Sequence, residues 1–323
     1  ANTSYTSLLQ KYNVAAPRYT SYPTVPYWQQ EAPSDTDWMF HVKEAFGRSN
    51  EISLYIHIPF CENLCTYCGC NTRITKKHSV EKPYIQALLA EWKVYLNAFP
   101  EKPIIKELHL GGGTPTFFSP ESLKELIMGI FENAELATEH EFGFEAHPDS
   151  TTEAHLQVLF DLGFRRISVG VQDFEDKILE IINRKQTEKQ VEWVTQKARE
   201  IGYTSVNYDI IFGLPLQKQT HIEYTISKIK QLKPDRIAFY SYAHVPWIKP
   251  SQRAYSEKDL PTDSEKRSLY EQGRQALEEA GYTEIGMDHF ALKDDGLYKS
   301  MQNGKLHRNF MGYTPMKTEL LVG

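Results

Sequence analysis

The chain has 323 residues, of which 41% are hydrophobic and 24% are charged, and its formal net charge is −6 at pH 7. These values are typical of a globular protein with one large domain or two, and the negative charge argues against nucleic acid as a partner. No apolar run reaches the roughly 18 residues that cross a bilayer. Residues 1–5 also lack the basic start and apolar stretch of a secretory signal. We therefore expect a cytoplasmic protein that does not associate with membranes.

The first 50 residues are expected to form an irregular arm. Pro17, Pro23, Pro26 and Pro33 are spread through this segment, and proline interrupts a helix because it lacks the backbone N–H. A short helix fits only residues 37–47. We predict an N-terminal arm over residues 1–50.

From residue 51 onward, strand patterns alternate with helix patterns. Six strand–helix units begin at residues 53, 107, 141, 166, 205 and 236, and such alternation predicts a parallel sheet with helices outside. Residues 150–153 (STTE) fit a capping box at the start of one helix. The prediction is an α/β protein with a partial, TIM-like (β/α)6 barrel. We assign the barrel to residues 51–245, and a barrel extension with the start of a C-terminal region to residues 246–323.

Side-chain alternation along the strands separates an apolar set from a polar set. The polar set includes Tyr55 and His57 in the first strand, and Glu145, Gln172 and Asp209 near the ends of later strands. We expect the apolar set to face the helices and the polar set to face the lumen. Barrels of this kind carry their active sites at the C-terminal ends of the strands, so these polar residues are candidates for a site there.

All four cysteines of the chain lie in one CxxxCxxCxC run, at positions 61, 65, 68 and 70, directly after the first strand. Thiolate suits both iron–sulfur clusters and zinc. Zinc sites usually split their ligands into two distant pairs, and a disulfide framework gains little from such close spacing, so spacing favours a cluster. Three thiolates on a [4Fe–4S] cubane leave one iron open, whereas all four on one cluster would form a closed electron carrier. Replacing Cys70 by Ser separates these two possibilities.

The motif after a strand resembles the radical S-adenosylmethionine (SAM) enzymes. Cys70, the YIHIPF lead-in at residues 55–60 and the RYTSYPT segment at residues 18–24 narrow the resemblance to the oxygen-independent coproporphyrinogen III oxidase family, over essentially the whole chain. The resemblance implies a partial radical SAM barrel. Family members continue beyond Gly323 into a further strand and a helical C-terminal domain. We therefore expect a chain shortened there, which could lack the family's activity.

The resemblance also assigns site residues. The cluster ligands are Cys61, Cys65 and Cys68, and Cys70 does not ligate. The residues that contact the first SAM are Tyr55, Gly112 and Glu145, while a second SAM position involves Tyr67, Gly113, Thr114, Gln172, Arg184, Asp209 and Ala243. The predicted catalytic residues are Tyr55, His57 and Glu145. His147 stands where the family commonly has Asp, which could change the local charge.

The implied reaction is oxidative decarboxylation of two propionates of coproporphyrinogen III to vinyl groups, giving protoporphyrinogen IX in anaerobic haem biosynthesis. A 5′-deoxyadenosyl radical made from SAM would remove hydrogen from each propionate. The implied partners are this substrate and a low-potential, flavodoxin- or ferredoxin-like electron donor, and we expect a monomer. Because the substrate is anionic, the candidate carboxylate partners are Arg18, Arg165, Arg166, Arg184 and Arg308.

A second hypothesis is a haem chaperone, which keeps the radical SAM fold but binds haem. Cys70 and the segment at residues 18–24 argue against it, because such relatives generally lack both.

Overall fold

The computed structural model describes Leu8, Lys11, Tyr12, residues 27–29 and residues 31–323. Pro17, Pro23, Pro26 and the whole segment 18–24, including Arg18, lie outside the described residues. The predicted arm and its relation to a site therefore stay predictions.

The strands are β1 (Glu51–Ile58), β2 (Phe60–Cys61), β3 (Arg73–Ile74), β4 (Ile104–Gly112), β5 (Glu135–Ala146), β6 (Arg166–Gln172), β7 (Ser205–Phe212), β8 (Arg236–Ser241), β9 (Tyr282–Gly286), β10 (His289–Leu292), β11 (His307–Asn309), β12 (Gly312–Thr314) and β13 (Leu320–Val322). The helices are α1 (Asp35–Arg48), α2 (Glu81–Ala98), α3 (Pro120–Phe131), α4 (Glu153–Asp161), α5 (Asp176–Ile181), α6 (Glu188–Ile201), α7 (Gln219–Leu232), α8 (Asp263–Glu279) and α9 (Gly296–Gln302). Short 3₁₀ helices cover His78–Val80, Pro115–Phe117, Pro250–Ala254 and Glu257–Asp259.

The main sheet confirms the predicted α/β architecture. Its nine strands run in the order β13-β1-β4-β5-β6-β7-β8-β10-β9. Six neighbouring strands of this order, β1, β4, β5, β6, β7 and β8, pair in parallel. Strand β5 begins at Glu135, earlier than predicted, because its first residues pair with β4 before a register shift between Ile105 and Glu107. The sheet is an open, partial barrel rather than a closed eight-stranded one.

Burial follows the predicted alternation. Ile56, Phe144, Val169 and Ile210 are among the apolar strand residues that face the helices, and each is at most 4% exposed. Their polar neighbours point to the lumen. Removing a methylene from a packed core leaves a cavity and reduces stability. Packing of this apolar layer therefore stabilises the contact between the helices and the sheet.

One predicted helix start is displaced. Helix α4 is capped by Thr152, whose hydroxyl accepts from the N–H of His155, and the capping box uses His155 rather than Glu153. The hydroxyls of Ser150 and Thr151 are engaged elsewhere, with Thr116 and with the carbonyl of His147. The predicted STTE box was therefore wrong by two residues.

The C-terminal residues complete the two edges of the open sheet. Strand β13 pairs in parallel with β1, while β10 and β9 continue antiparallel from β8. The β11–β12 hairpin forms a separate two-stranded sheet. The proposed division at residues 50 and 245 stays a prediction.

The N-terminal half of the lumen contains a set of charged side chains that we call the basal charge layer: Glu107, Glu141, Arg166, Arg236 and Asp295. Glu141 Oε1 lies 2.9 Å from Arg166 Nε and 3.6 Å from Arg236 Nη1. Arg236 Nε donates to both oxygens of Asp295 at 2.9 Å. Burial would raise the pKa of Glu141, but Arg166 and Arg236 outweigh it and hold this pKa below its usual value. Glu141, Arg166, Arg236 and Asp295 are thus paired with one another, and Glu107 accepts hydrogen bonds from Ser53 and Thr314.

None of the described helices is both long enough and apolar enough to traverse a lipid bilayer.

Candidate active site

A cavity of about 600 Å³ opens at the C-terminal ends of the parallel strands. Its walls come from the cysteine loop, from the turn after β4, and from the last residues of β5, β6, β7 and β8. Ligand cavities of this size hold small organic molecules. The cavity is therefore at the end of the barrel where the strand pattern predicted a site.

The cysteine loop connects β2 to β3 and is held by backbone contacts from distant segments. Thr66 N–H donates to the carbonyl of Ile182, and the Asn183 amide donates to the carbonyl of Leu64. From the other side, the Ser251 hydroxyl donates to the Thr66 carbonyl at 3.2 Å. Because the loop has little regular structure of its own, these contacts fix the positions of its sulfur atoms.

Each motif sulfur has a different polar neighbour. Cys61 Sγ lies 3.3 Å from Thr114 Oγ1, and Arg184 Nη1 donates to Cys65 Sγ at 3.5 Å. A hydrogen bond from the Cys70 side chain lowers the pKa of Cys68 to about 6, while burial raises the pKa of Cys61. Thiolate is the form of cysteine that ligates metals, so the donor at Cys68 favours the ligating form.

The glycine turn after β4 packs directly beneath the cysteine loop. A Cβ atom on Gly113 would lie 2.6 Å from the Pro59 carbonyl oxygen and 2.9 Å from Cys61 Sγ. Gly112 has φ +119°, and a Cβ there would lie 2.7 Å from the Ile58 carbonyl oxygen. Only glycine permits this approach, which leaves the turn's backbone N–H groups and carbonyls facing the cavity.

Arg184 connects the cysteine loop to the end of β6. Its Nε donates to Gln186 at 2.7 Å, its Nη2 to the Gly170 carbonyl, and its Nη1 also to the Tyr67 hydroxyl at 3.3 Å. Gln172 ends the strand with φ +68°, a conformation that costs a non-glycine residue energy and that clusters at functional sites. Its side chain lines the cavity beside Arg184.

Glu145 and its neighbours form a polar chain on the β1–β4–β5 side. Glu145 Oε1 lies 3.4 Å from His109 Nε2, and the His109 ring stacks on Tyr55 with ring centroids 6.1 Å apart. Tyr55 Oη and His57 Nδ1 are 2.9 Å apart, and His57 Nε2 is 2.9 Å from the Asn71 carbonyl. Burial, followed by the Glu145 charge, raises the pKa of Tyr55, so its phenol keeps its proton. This chain leads from the cavity wall back into β1.

Two titrating groups in the cavity are shifted toward their neutral forms. Burial, with a smaller contribution from Glu145, raises the pKa of Asp209 to about 7, although Arg184 opposes the shift. Burial and Arg184 lower the pKa of His147 well below its usual value. His147 is therefore neutral and adds no positive charge.

Most of the predicted site residues meet at the cavity. The residues that line it are Cys61, Cys65, Tyr67, Cys68, Gly112, Gly113, Thr114, Glu145, Gln172, Arg184 and Asp209. Tyr55, His57 and Ala243 do not line it. The first two connect to it through His109, and the Ala243 carbonyl accepts from Gln252 at 3.1 Å. Their assignment as site residues stays a prediction.

Three contributors to this site were not predicted. His109 follows the polar alternation of β4 and could have been found from that pattern. Tyr240 lines the cavity from β8, a strand in which the apolar and polar positions were ambiguous. Gln252 binds the carbonyls of Tyr67 and Ala243 from a 3₁₀ helix, and no local sequence signal marks it.

The donor set fits an iron–sulfur cluster. In the described part of the chain, no group of three or more His, Cys, Asp or Glu side chains is placed to hold a metal ion. The ligands of a cubane bind separate irons, so its thiolates need not converge on one point. Cys61, Cys65 and Cys68 line one wall of the cavity, and the missing Cβ of Gly113 keeps Cys61 Sγ accessible. Cys61, Cys65 and Cys68 could hold such a group together.

Comparisons with known proteins identify the family. A family model described as the radical SAM superfamily, whose characteristic cofactors are a [4Fe–4S] cluster and SAM, matches residues 55–229. The oxygen-independent coproporphyrinogen III oxidase of Pseudomonas aeruginosa is 37% identical over 309 residues, which cover 95% of this chain and 67% of that protein. The Escherichia coli enzyme of the same name is 38% identical over 322 residues, covering 98% of this chain and 68% of that protein. The solved structure of the Escherichia coli coproporphyrinogen III oxidase, described as a radical SAM enzyme, matches with a TM-score of 0.89 at 36% identity and covers 98% of this chain and 70% of that chain. The chain therefore belongs to the oxygen-independent coproporphyrinogen III oxidase family of the radical SAM superfamily.

Proposed function

We propose that this protein catalyses the oxygen-independent oxidative decarboxylation of two propionates of coproporphyrinogen III, which yields protoporphyrinogen IX. Each propionate loses one hydrogen atom, CO2 and one electron and becomes a vinyl group. The observation that carries the proposal is the convergence of Cys61, Cys65 and Cys68 with Glu145 and Arg184 on one cavity. Relatives named for this activity at 37–38% identity support it.

In this proposal Cys61, Cys65 and Cys68 hold the cluster, and Cys70 serves as a hydrogen-bond donor to Cys68. The reduced cluster with bound SAM would supply a radical able to remove hydrogen from an unactivated carbon. Arg184 donates a hydrogen bond to Cys65 and so holds this sulfur in position. The protein's own task is to hold these ligands in place and to exclude water from the reacting atoms.

The turn at Gly112 and Gly113 offers backbone groups to the polar end of SAM, because no side chain separates them from the cavity. Glu145 faces the same space and can accept from the SAM ammonium group, with His109 orienting the carboxylate. Tyr55 and His57 extend this chain into β1. We assign Tyr55, His57 and Glu145 to positioning and binding at the reacting end of the cavity.

A second SAM position is proposed next to the first. The residues assigned to it are Tyr67, Gly113, Thr114, Gln172, Arg184, Asp209 and Ala243. The hydrogen bond of Tyr67 with Arg184 and the strained backbone of Gln172 support this assignment. A low-potential flavodoxin- or ferredoxin-like donor is proposed as the source of electrons.

The test is turnover by the anaerobically reconstituted protein. With SAM, dithionite and coproporphyrinogen III, we expect one 5′-deoxyadenosine for each vinyl group formed, measured by mass spectrometry. The C68S variant, with the same loop and one thiolate fewer, should form neither product. Stoichiometric haem binding with no 5′-deoxyadenosine from the wild-type protein would contradict the proposal and favour a haem chaperone.

A further inference from the structure

The five arginines predicted from the sequence as candidate carboxylate partners differ in their surroundings wherever the structure describes them. Arg165 lies on the outside, where its Nη1 donates to the carbonyls of Phe160 and Phe164. Arg166 belongs to the basal charge layer and pairs with Glu141. Arg184 is fully engaged with the cysteine loop and β6, and Arg18 is outside the described residues.

Arg308 differs from the other three described arginines. Its Nε and Nη1 are buried, and neither has a hydrogen-bond partner among the described residues. Its guanidinium carbon lies 4.7 Å from the centre of the Tyr313 ring, within the range of a cation–π contact. A buried guanidinium with two unmet donors is costly, so such groups usually meet an anionic partner.

The position of Arg308 is set by the β11–β12 hairpin, which contacts β1 on one side and β10 on the other. At one end Phe310 packs edge-on against Tyr55 of β1, with ring centroids 5.3 Å apart. At the other end Tyr313 packs against His289 of β10, also at 5.3 Å. Thr314 anchors the hairpin by donating to Glu107 at 2.6 Å.

Contacts continue from this hairpin to the cavity. His289 lies between Tyr313 and Tyr240, with its ring centroid 5.9 Å from that of Tyr240. Tyr240 lines the cavity wall. Phe310, 74% exposed, presents an apolar surface on the same hairpin. The guanidinium and an exposed apolar ring therefore belong to one short hairpin, whose neighbours lead to the cavity wall.

We propose that Arg308 binds one propionate carboxylate of the tetrapyrrole substrate and thereby sets the orientation of that substrate against the cavity. The planar guanidinium matches a carboxylate with two parallel hydrogen bonds, and its Nε and Nη1 are the two donors left unmet. Arg308 as a whole is only half-buried, and the carboxylate reaches these two atoms by displacing the groups that cover them. Phe310 offers the adjacent surface for the macrocycle. This inference rests on the proposed function, since it takes the substrate from it.

The test measures binding separately from turnover. Coproporphyrin III is a stable tetracarboxylate, and its tetramethyl ester has the same ring without the charges. We expect R308Q to bind coproporphyrin III roughly tenfold to a hundredfold more weakly than wild type, by fluorescence titration, while binding the ester equally well. R308K keeps the charge without the planar fork and should fall between the two.

The matched control is K305Q, which removes one exposed positive charge three residues earlier in the chain. It should bind coproporphyrin III as wild type does. Iron content, SAM affinity and melting temperature of R308Q should equal those of wild type, which separates a lost contact from a misfolded hairpin. The proposal is overturned if R308Q binds the tetracarboxylate normally, loses ester binding equally, or loses SAM affinity instead.

The two proposals fail in different ways. If wild type makes 5′-deoxyadenosine and vinyl groups but R308Q retains its affinity, only the assignment of Arg308 is wrong. If wild type makes neither product, the proposed function is wrong, whatever R308Q does.

Discussion

Polar side chains have different surroundings in the two halves of the barrel lumen. In the N-terminal half, the basal charge layer pairs Glu141 with Arg166 and Arg236, and Arg236 with Asp295. In the C-terminal half, the thiols of the cysteine loop, Glu145 and Asp209 face a cavity of about 600 Å³. In the N-terminal half the charged side chains form ion pairs with one another, whereas in the C-terminal half the polar side chains line a cavity.

This difference separates stability from function. Removing one partner from a buried ion pair leaves the other charge uncompensated, so changes in the basal charge layer should reduce stability. Changes around the cavity should reduce cluster or ligand binding with a smaller effect on folding. Arg308 differs from the paired arginines of the basal charge layer, because two of its donors are buried without a hydrogen-bond partner among the described residues.

The largest effect is expected from the motif cysteines. C65S should abolish cluster binding and with it turnover, since Cys65 is both a proposed ligand and the hydrogen-bond partner of Arg184. C70S should keep the iron and sulfide content of wild type. Iron and sulfide assays after anaerobic reconstitution measure both. Equal cluster loss in the two variants would indicate a closed four-cysteine cluster.

A large loss of stability is expected in the basal charge layer. E141Q removes the carboxylate beside Arg166 and Arg236 and should lower the free energy of unfolding by about 3 kcal/mol. Urea denaturation followed by circular dichroism measures this change. The control, E278Q, breaks an exposed pair with Arg274 and should cost less than about 1 kcal/mol. If E141Q and E278Q lowered the free energy of unfolding equally, the lumen charges would be screened by solvent as surface charges are.

A substitution in the glycine turn should have an intermediate effect, on both stability and ligand binding. G113A places a methyl group 2.6 Å from the Pro59 carbonyl oxygen, so the cysteine loop must shift. We expect a cost of about 1–3 kcal/mol and weaker SAM binding. G47A adds the same methyl group in α1, away from the cavity and with no atom outside its own helix within 4 Å, and should cause neither loss. Calorimetric titration with SAM and thermal melting compare the pair.

The smallest effect concerns pH. Asp209 has a folded-state pKa of about 7, above its ordinary value, so the folded protein holds a proton that the unfolded chain has lost. Stability contributed by this group is therefore present below pH 4 and decreases as pH rises from about 4 to 7, by on the order of 2 kcal/mol for this half-buried group.

D209N should remove this pH dependence, because asparagine does not titrate. Unfolding free energies at pH 4 and pH 7 should then differ less than in wild type by that amount. D294N, at an exposed position, serves as the control and should keep the wild-type slope. An unchanged slope in D209N would show that Asp209 is ionised throughout this range.

Much of this architecture could be predicted because it follows from local patterns. Alternation placed Glu145, Gln172 and Asp209 at the C-terminal ends of their strands, and spacing identified the cysteine loop. Contacts between distant segments could not be predicted in this way. Gln252 reaches the Tyr67 carbonyl from 185 residues away, and Thr314 reaches Glu107 across 207 residues.

Local competition explains the displaced cap of α4. Ser150, Thr151 and Thr152 can each cap a helix, and the choice depended on hydrogen bonds that Thr116 and the His147 carbonyl provide from outside the segment. Likewise, five arginines were equivalent in the sequence, and only their surroundings distinguish Arg308.

The most direct test of the central claim is electron paramagnetic resonance of the reduced, reconstituted protein before and after SAM is added. If Cys61, Cys65 and Cys68 hold a [4Fe–4S] cluster with one iron open, SAM should change the cluster signal in wild type and in C70S alike. A signal that SAM leaves unchanged, with four cysteines required for the cluster, would contradict the account.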